Sequence, residues 1–140
     1  MTAVALAGPL TEAEALTAAA DLIERWGLCR DNYEGADESL DPSGAVAVAL
    51  GYEANVWSAP TEAWEETGAY DLGFAALYAL VESIGRWDMG VADDWDGEAL
   101  ANHIAFWLVD VRPSAELVIQ QMRDAAVSLS TPAEQIEVHA

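Results

Sequence analysis

The stretch between Gly68 and Gly85 sets the strongest limit on what this chain can fold into. Read at helical spacing, Leu72, Phe74, Leu77, Tyr78, Leu80, Val81 and Ile84 cover nearly the whole circumference rather than one stripe. A helix that is apolar all round is buried in the middle of its domain. Gly85 supplies its stop. The segment at about 69–84 is therefore expected to be central, with everything else packed around it.

The flanking segments predict helices that can do that packing. Thr11 is a natural N-cap, and Glu14 completes a Thr-x-x-Glu capping box. Leu16, Ala19, Ala20, Ile23 and Trp26 then fall on one face, with Gly27 as the stop. Asp41 followed by Pro42 reads as an N-cap with proline at the first helical position. The run from Ala45 to Leu50 alternates Ala and Val, which suits a strand, but its cap and alanine content favour a short buried helix. Ser58 to Thr61 opens a further helical turn holding Trp64. A helix at about 97–110 buries Leu100, Ile104, Trp107 and Leu108, and Arg112-Pro113-Ser114 makes a sharp break. The last helix, about 114–129, places Ala115, Val118, Ile119, Met122, Ala126 and Leu129 on one face. The sum is a compact all-α single domain of five to six helices at 11–129, with a loose arm at 1–10 and a flexible tail at 130–140.

Composition decides what such a domain can meet. Of 140 residues 25 are acidic and five basic, for a net charge of −20; all five bases are arginines. An apolar fraction of 53% separates the chain from charged disordered sequences. Direct nucleic-acid binding needs a patch of Lys and Arg and is excluded. Anionic membrane surfaces should repel the chain, and its longest apolar run, Leu72 to Val81, is far short of the ~18–20 residues of a span. Met1 to Leu10 lacks the basic region of a signal peptide. The lone Cys29 excludes an intrachain disulfide framework and a multi-cysteine zinc site. A soluble cytoplasmic protein is expected.

No catalytic constellation emerges. The acidic run from Asp88 to Glu98 fails the EF-hand spacing: a loop starting at Asp94 has Ala99 at position 6 and Ala105 at position 12. Asp93 or Asp96 serves equally well as a cap for the next helix. Cys29 and His103 form a nucleophile–base pair only if the fold joins them, and Cys29 follows a helix C-terminus, which does not favour a thiolate. No Gly-x-Ser-x-Gly elbow and no phosphate-cradling glycine loop is present. Neither a metal nor a cofactor is expected, and the reading is non-enzymatic.

The charge is concentrated. Residues 31–98 hold 16 acids and one base, Arg86, for a net −15, while residues 1–30 and 99–140 carry only −2 and −3. Of six tryptophans, Trp26 and Trp107 fit apolar helix faces, whereas Trp57, Trp64, Trp87 and Trp95 lie in or beside this acidic middle. Such rings either close over the core or anchor a basic partner through apolar and cation–π contact. The expected partner-binding set is Asp31, Glu34, Asp37, Glu38, Glu62, Glu65, Glu66, Asp88, Asp93, Asp94 and Asp96, with Trp57, Trp64 and Trp95 as anchors. Duplex DNA carries about one negative charge per 1.7 Å of axis, and a folded surface bearing this segment would imitate part of that field. The competing readings are acidity kept for solubility, a small ligand-binding or enzymatic domain using Cys29 and His103, and a structural assembly subunit.

Several blocks resemble a family of uncharacterised small helical proteins from actinobacteria and their phages. Its opening helix reads Leu-x-x-Ala-Ala-Asp-x-Ile-x-x-x-Gly, matched by Leu16, Ala19, Ala20, Asp21, Ile23 and Gly27. Its closing block is similar to Trp107, Asp110, Arg112, Ser114 and Val118. The chain departs where the family carries a cysteine and an internal glycine before the Ala-rich stretch, where Leu108-Val109 replaces an asparagine, and where Leu117 stands for a capping glutamate. The resemblance spans roughly residues 12–126. It implies a single helical domain and a phage or actinobacterial setting, and no activity. In that setting the basic partner would be a host nucleic-acid-binding or defence complex.

Crowded carboxylates oppose compaction until salt screens them. The melting temperature should therefore rise by several degrees between low salt and about 0.5 M NaCl. A calorimetric series across ionic strength checks this, and a flat profile contradicts it.

Overall fold

The apolar segment between the two glycines does form the central helix. The computed structural model describes residues 11–85 and 96–130. It comprises α1 (Glu12–Trp26), α2 (Pro42–Ala49), α3 (Glu62–Glu66), α4 (Ala69–Ile84), α5 (Gly97–Asp110) and α6 (Ala115–Ser130), with a 3-10 turn at Ala54–Trp57 between α2 and α3. Helix α4 touches all five of the others, and α1 lies along α6 and α2. The protein is an all-α single domain. The expected arm at 1–10 and nearly all of the tail, 131–140, lie outside the described residues.

The helix boundaries follow from local chemistry. Thr11 and Glu14 form the reciprocal capping box: Glu14 N–H donates to Thr11 Oγ1 at 3.1 Å, and Thr11 N–H to Glu14 Oε1 at 2.9 Å. Asp41 caps α2 by accepting from Gly44 N–H at 2.6 Å, with Pro42 at the first helical position. Thr61, Asp96 and Ser114 cap α3, α5 and α6 in the same way. Gly27 and Gly85 end α1 and α4 at φ 100° and 89°. The break after α5 is carried by Arg112, whose φ of 56° lies in the left-handed region glycine usually occupies.

Packing corrects three details. Helix α4 is not enclosed all round: Ala69, Gly73, Ala76, Leu77, Leu80 and Val81 are buried, while Leu72, Phe74, Tyr78 and Ile84 are half-buried. Trp26, expected in the core, is 43% exposed in the last turn of α1, beyond the packed face, with the Arg25 guanidinium 5.1 Å from its ring centre. Leu129 is exposed in the last turn of α6, and Ala125 is buried instead.

The 3-10 turn was not anticipated, and it delivers a residue that touches four helices. Trp57 is buried, and its Nε1–H donates to the Ser43 carbonyl of α2 at 2.8 Å. Its ring meets Trp64 of α3 edge to face at 5.1 Å. It also fills the space that two glycines leave open. A Cβ on Gly97 of α5 would sit 2.5 Å from Trp57 Cζ3, and one on Gly73 of α4 3.0 Å from Trp57 Cη2.

A methyl group at either glycine overpacks this contact. Gly97→Ala should cost about 1–3 kcal/mol, with Gly73→Ala, whose contacts are less tight, costing less. Trp57→Phe should cost about 1 kcal/mol or more through the lost indole hydrogen bond alone. Urea unfolding of the three variants measures these losses.

Candidate functional site

Segments that carry the acids are linked through a short set of polar and aromatic contacts. The connection between α1 and α2 folds back on itself: Cys29 N–H donates to the Leu40 carbonyl at 3.0 Å, and Leu40 N–H to the Gly27 carbonyl at 3.0 Å. Gly35 N–H to the Ser39 carbonyl, at 2.8 Å, closes a turn whose residue Glu38 takes a φ of 71°. Asp37 steadies this turn by accepting from Ser39 N–H and Oγ–H at 3.2 and 2.6 Å. The Ser39 side-chain bond, then its backbone bond, hold the Asp37 carboxyl below its ordinary pKa.

Tyr33 carries the loop onto the rest of the domain. Its hydroxyl pairs with Ser58 Oγ at 2.8 Å, at the end of the 3-10 turn. Burial raises the pKa of this phenol, with Asp41 and Glu98 adding to the effect, so the hydroxyl stays neutral. The N-terminus of α5 adjoins the same place: Gly97 packs on Trp57, and its N–H donates to Tyr70 Oη at 2.9 Å. Helix α3 is tied in by Tyr52, whose hydroxyl donates to the Ala63 carbonyl at 3.2 Å and pairs with Thr67 Oγ1 at 2.9 Å.

The expected partner-binding residues divide accordingly. Asp31, Glu34, Asp37, Glu38, Glu62, Glu65, Glu66 and Asp96 are all exposed. The elements that carry them are neighbours through Tyr33, Ser58, Trp57 and Tyr52. Asp96 also caps α5 through Ala99 N–H at 2.9 Å. Asp88, Asp93, Asp94 and Trp95 lie outside the described residues. Trp57 and Trp64 are corrected: at 5% and 1% exposure both are core, with Tyr70 and Tyr52 against them, and neither offers a face to a partner. Aromatic rings this large lower the free energy more by filling the space between α2, α3, α4 and α5 than by standing in water.

Cations lie mostly elsewhere. Arg123 of α6 holds Asp21 and Glu24 of α1, each at 3.0 Å. Arg25 covers Trp26, and Arg112 follows α5. Among the described residues, none of the eight exposed carboxylates is in an ion pair. Nor is any group of three or more His, Cys, Asp or Glu side chains arranged to hold a metal ion among those residues. The Cys29–His103 pair is not formed as a hydrogen bond: Cys29 sits in the loop beside Gly35, whereas His103 is buried on α5 with Nε2 at 3.2 Å from the Gly85 carbonyl oxygen.

The sequence matches a family of unknown function, DUF6197, over residues 7–128, and the chain belongs to that family. No curated protein and no solved structure matches it.

Sequence reading missed Asp41 as anything more than a cap. It is only 4% exposed, and burial pushes its pKa up to about 7 against the pull of the Gly44 and Ser43 N–H groups. The folded state therefore binds a proton that the unfolded chain, near 3.8, has lost. Stability contributed by this group is present below about pH 4 and falls as pH rises towards 7, where the ionised carboxylate is buried. Asp41→Asn keeps the cap and removes the titration. The variant should match the parent near pH 4 and exceed it at pH 8 by an amount on the order of a few kcal/mol, read from denaturant unfolding at the two pH values.

Proposed function

We propose that this protein is a non-enzymatic interaction protein that presents its acidic middle to a basic surface on another protein. The observation that carries this is that all eight described carboxylates of the expected set are exposed and, among the described residues, in no ion pair. Unpaired exposed charge does little for folding, but several carboxylates of one sign raise the association rate with a basic surface through long-range attraction. With a net charge of −20, the surface repels nucleic acid itself and competes for the grooves that bind it. The partner class is a nucleic-acid-binding or defence complex, and the action is inhibition by charge mimicry, as suits a phage-type protein.

Because Trp57 and Trp64 are internal, recognition in this reading is electrostatic at the described surface. The turn at 35–38 and the first turn of α3 are the parts to test. Affinity capture from a bacterial lysate, followed by salt titration of the captured complex, is the direct experiment. Capture should recover a protein with a basic groove, with affinity falling by about tenfold or more from low to moderate salt. Replacing Glu62, Glu65 and Glu66 together by Gln should slow association, whereas Cys29→Ala should leave binding intact. A partner without a basic surface, or binding indifferent to salt, contradicts the reading.

A further inference from the structure

A cavity of about 210 Å³ lies between the 30–33 segment and α5, and Asp31 of the acidic set is among the residues that line it. Its walls include Arg30 and Tyr33 from the loop, Asp41 from the start of α2, and Ala101, Asn102 and Ala105 from α5. The two alanines stand one helical turn apart and leave the space open; larger side chains there would fill it. The cavity has room for a small molecule rather than a single water.

Three charged side chains line it, Arg30, Asp31 and Asp41, and none is in an ion pair among the described residues. Arg30 Nη1 is buried without a hydrogen-bond acceptor among the described residues. A guanidinium N–H removed from water without an acceptor is costly, and its best complement is a carboxylate, which takes two parallel N–H bonds. Asp41 is almost fully buried, held by the N–H groups of Gly44 and Ser43, and in no ion pair among the described residues. A buried carboxylate is complemented by an ammonium group, which supplies both charge and N–H donors. Arg30 and Asp41 line the same cavity without forming an ion pair with each other.

We infer that this cavity binds a small zwitterion of the α-amino-acid class, its carboxylate on Arg30 and its ammonium on Asp41. The charge of the whole protein favours this choice over a simple anion. An anion must approach against a net charge of −20, whereas a zwitterion carries no net charge into the field. A simple cation would leave Arg30 Nη1 without an acceptor. The Tyr33 hydroxyl, held by Ser58 at 2.8 Å, fixes one wall, and Asn102 adds an amide that donates and accepts. The volume of about 210 Å³, which Ala101 and Ala105 leave open, fits an amino acid with a small side chain.

The test uses the whole 140-residue chain. Thermal shift against each standard amino acid selects small ones, and isothermal titration then compares L-alanine with its two fragments, propionate and ethylamine. Saturable binding of L-alanine or another small amino acid is expected, with the deaminated and decarboxylated fragments weaker by about tenfold or more, as the loss of a charged contact requires. Arg30→Gln and Asp41→Asn should each weaken binding by a similar factor. Ala105→Leu, at a partly exposed position, should abolish it by filling the cavity while leaving the helical circular dichroism unchanged. No amino acid binding, propionate binding as well as L-alanine, or binding unaffected by Arg30→Gln or by Ala105→Leu would each overturn the assignment. Neutralising Glu62, Glu65 and Glu66 should not change amino-acid binding, so this result and the capture experiment fail independently.

Discussion

The indole of Trp57 is the contact on which the rest of the arrangement depends. It reaches α2 through a hydrogen bond to Ser43, α3 through Trp64, α4 over Gly73 and α5 over Gly97. Its contact with Gly97 leaves no room for a Cβ there, and its contact with Gly73 leaves little. Interiors packed as densely as organic crystals transmit such restrictions. The choice of glycine at 73 and 97 therefore belongs to the same constraint as the choice of tryptophan at 57.

That constraint places the charge as well. With the 3-10 turn held by Trp57, Ser58 is set where it meets the Tyr33 hydroxyl, and the α1–α2 connection is drawn against the domain. The N-terminus of α5 is brought to the same place through Gly97 and Tyr70. The 31–38 loop, α3 and the start of α5 are thus each linked to the 3-10 turn or to the rings packed on it, although 65 positions separate Asp31 from Asp96. The cavity arises from the same junction, because the loop that supplies Arg30 and Tyr33 closes over the small residues of α5.

Much of the fold was legible before any coordinates. The bounds of α4 and α5 and the capping box at Thr11 and Glu14 follow from patterns within one or two helical turns, where sequence neighbours are spatial neighbours. Trp26 shows the limit of that reasoning. It keeps the spacing of the α1 stripe, yet lies beyond the packed face, and only the length of the surrounding core could reveal this. The tryptophans near the acids were ambiguous for the same reason. Trp57 and Trp64 sit beside acidic stretches of the chain, and the pairing of α3 with α4 and of the 3-10 turn with α5 is what removes them from water.

By itself the sequence determined that the chain is helical, where most of its helices start and stop, and that its middle is acidic and short of cations. These are properties of local periodicity, capping chemistry and charge, which need no knowledge of what lies opposite. The tertiary structure alone decided which aromatic rings are core and that Asp41 and Arg30 share a cavity. Burial and adjacency depend on long-range packing, so the same aspartate reads in the sequence as an ordinary cap and in the fold as a carboxyl titrating near 7.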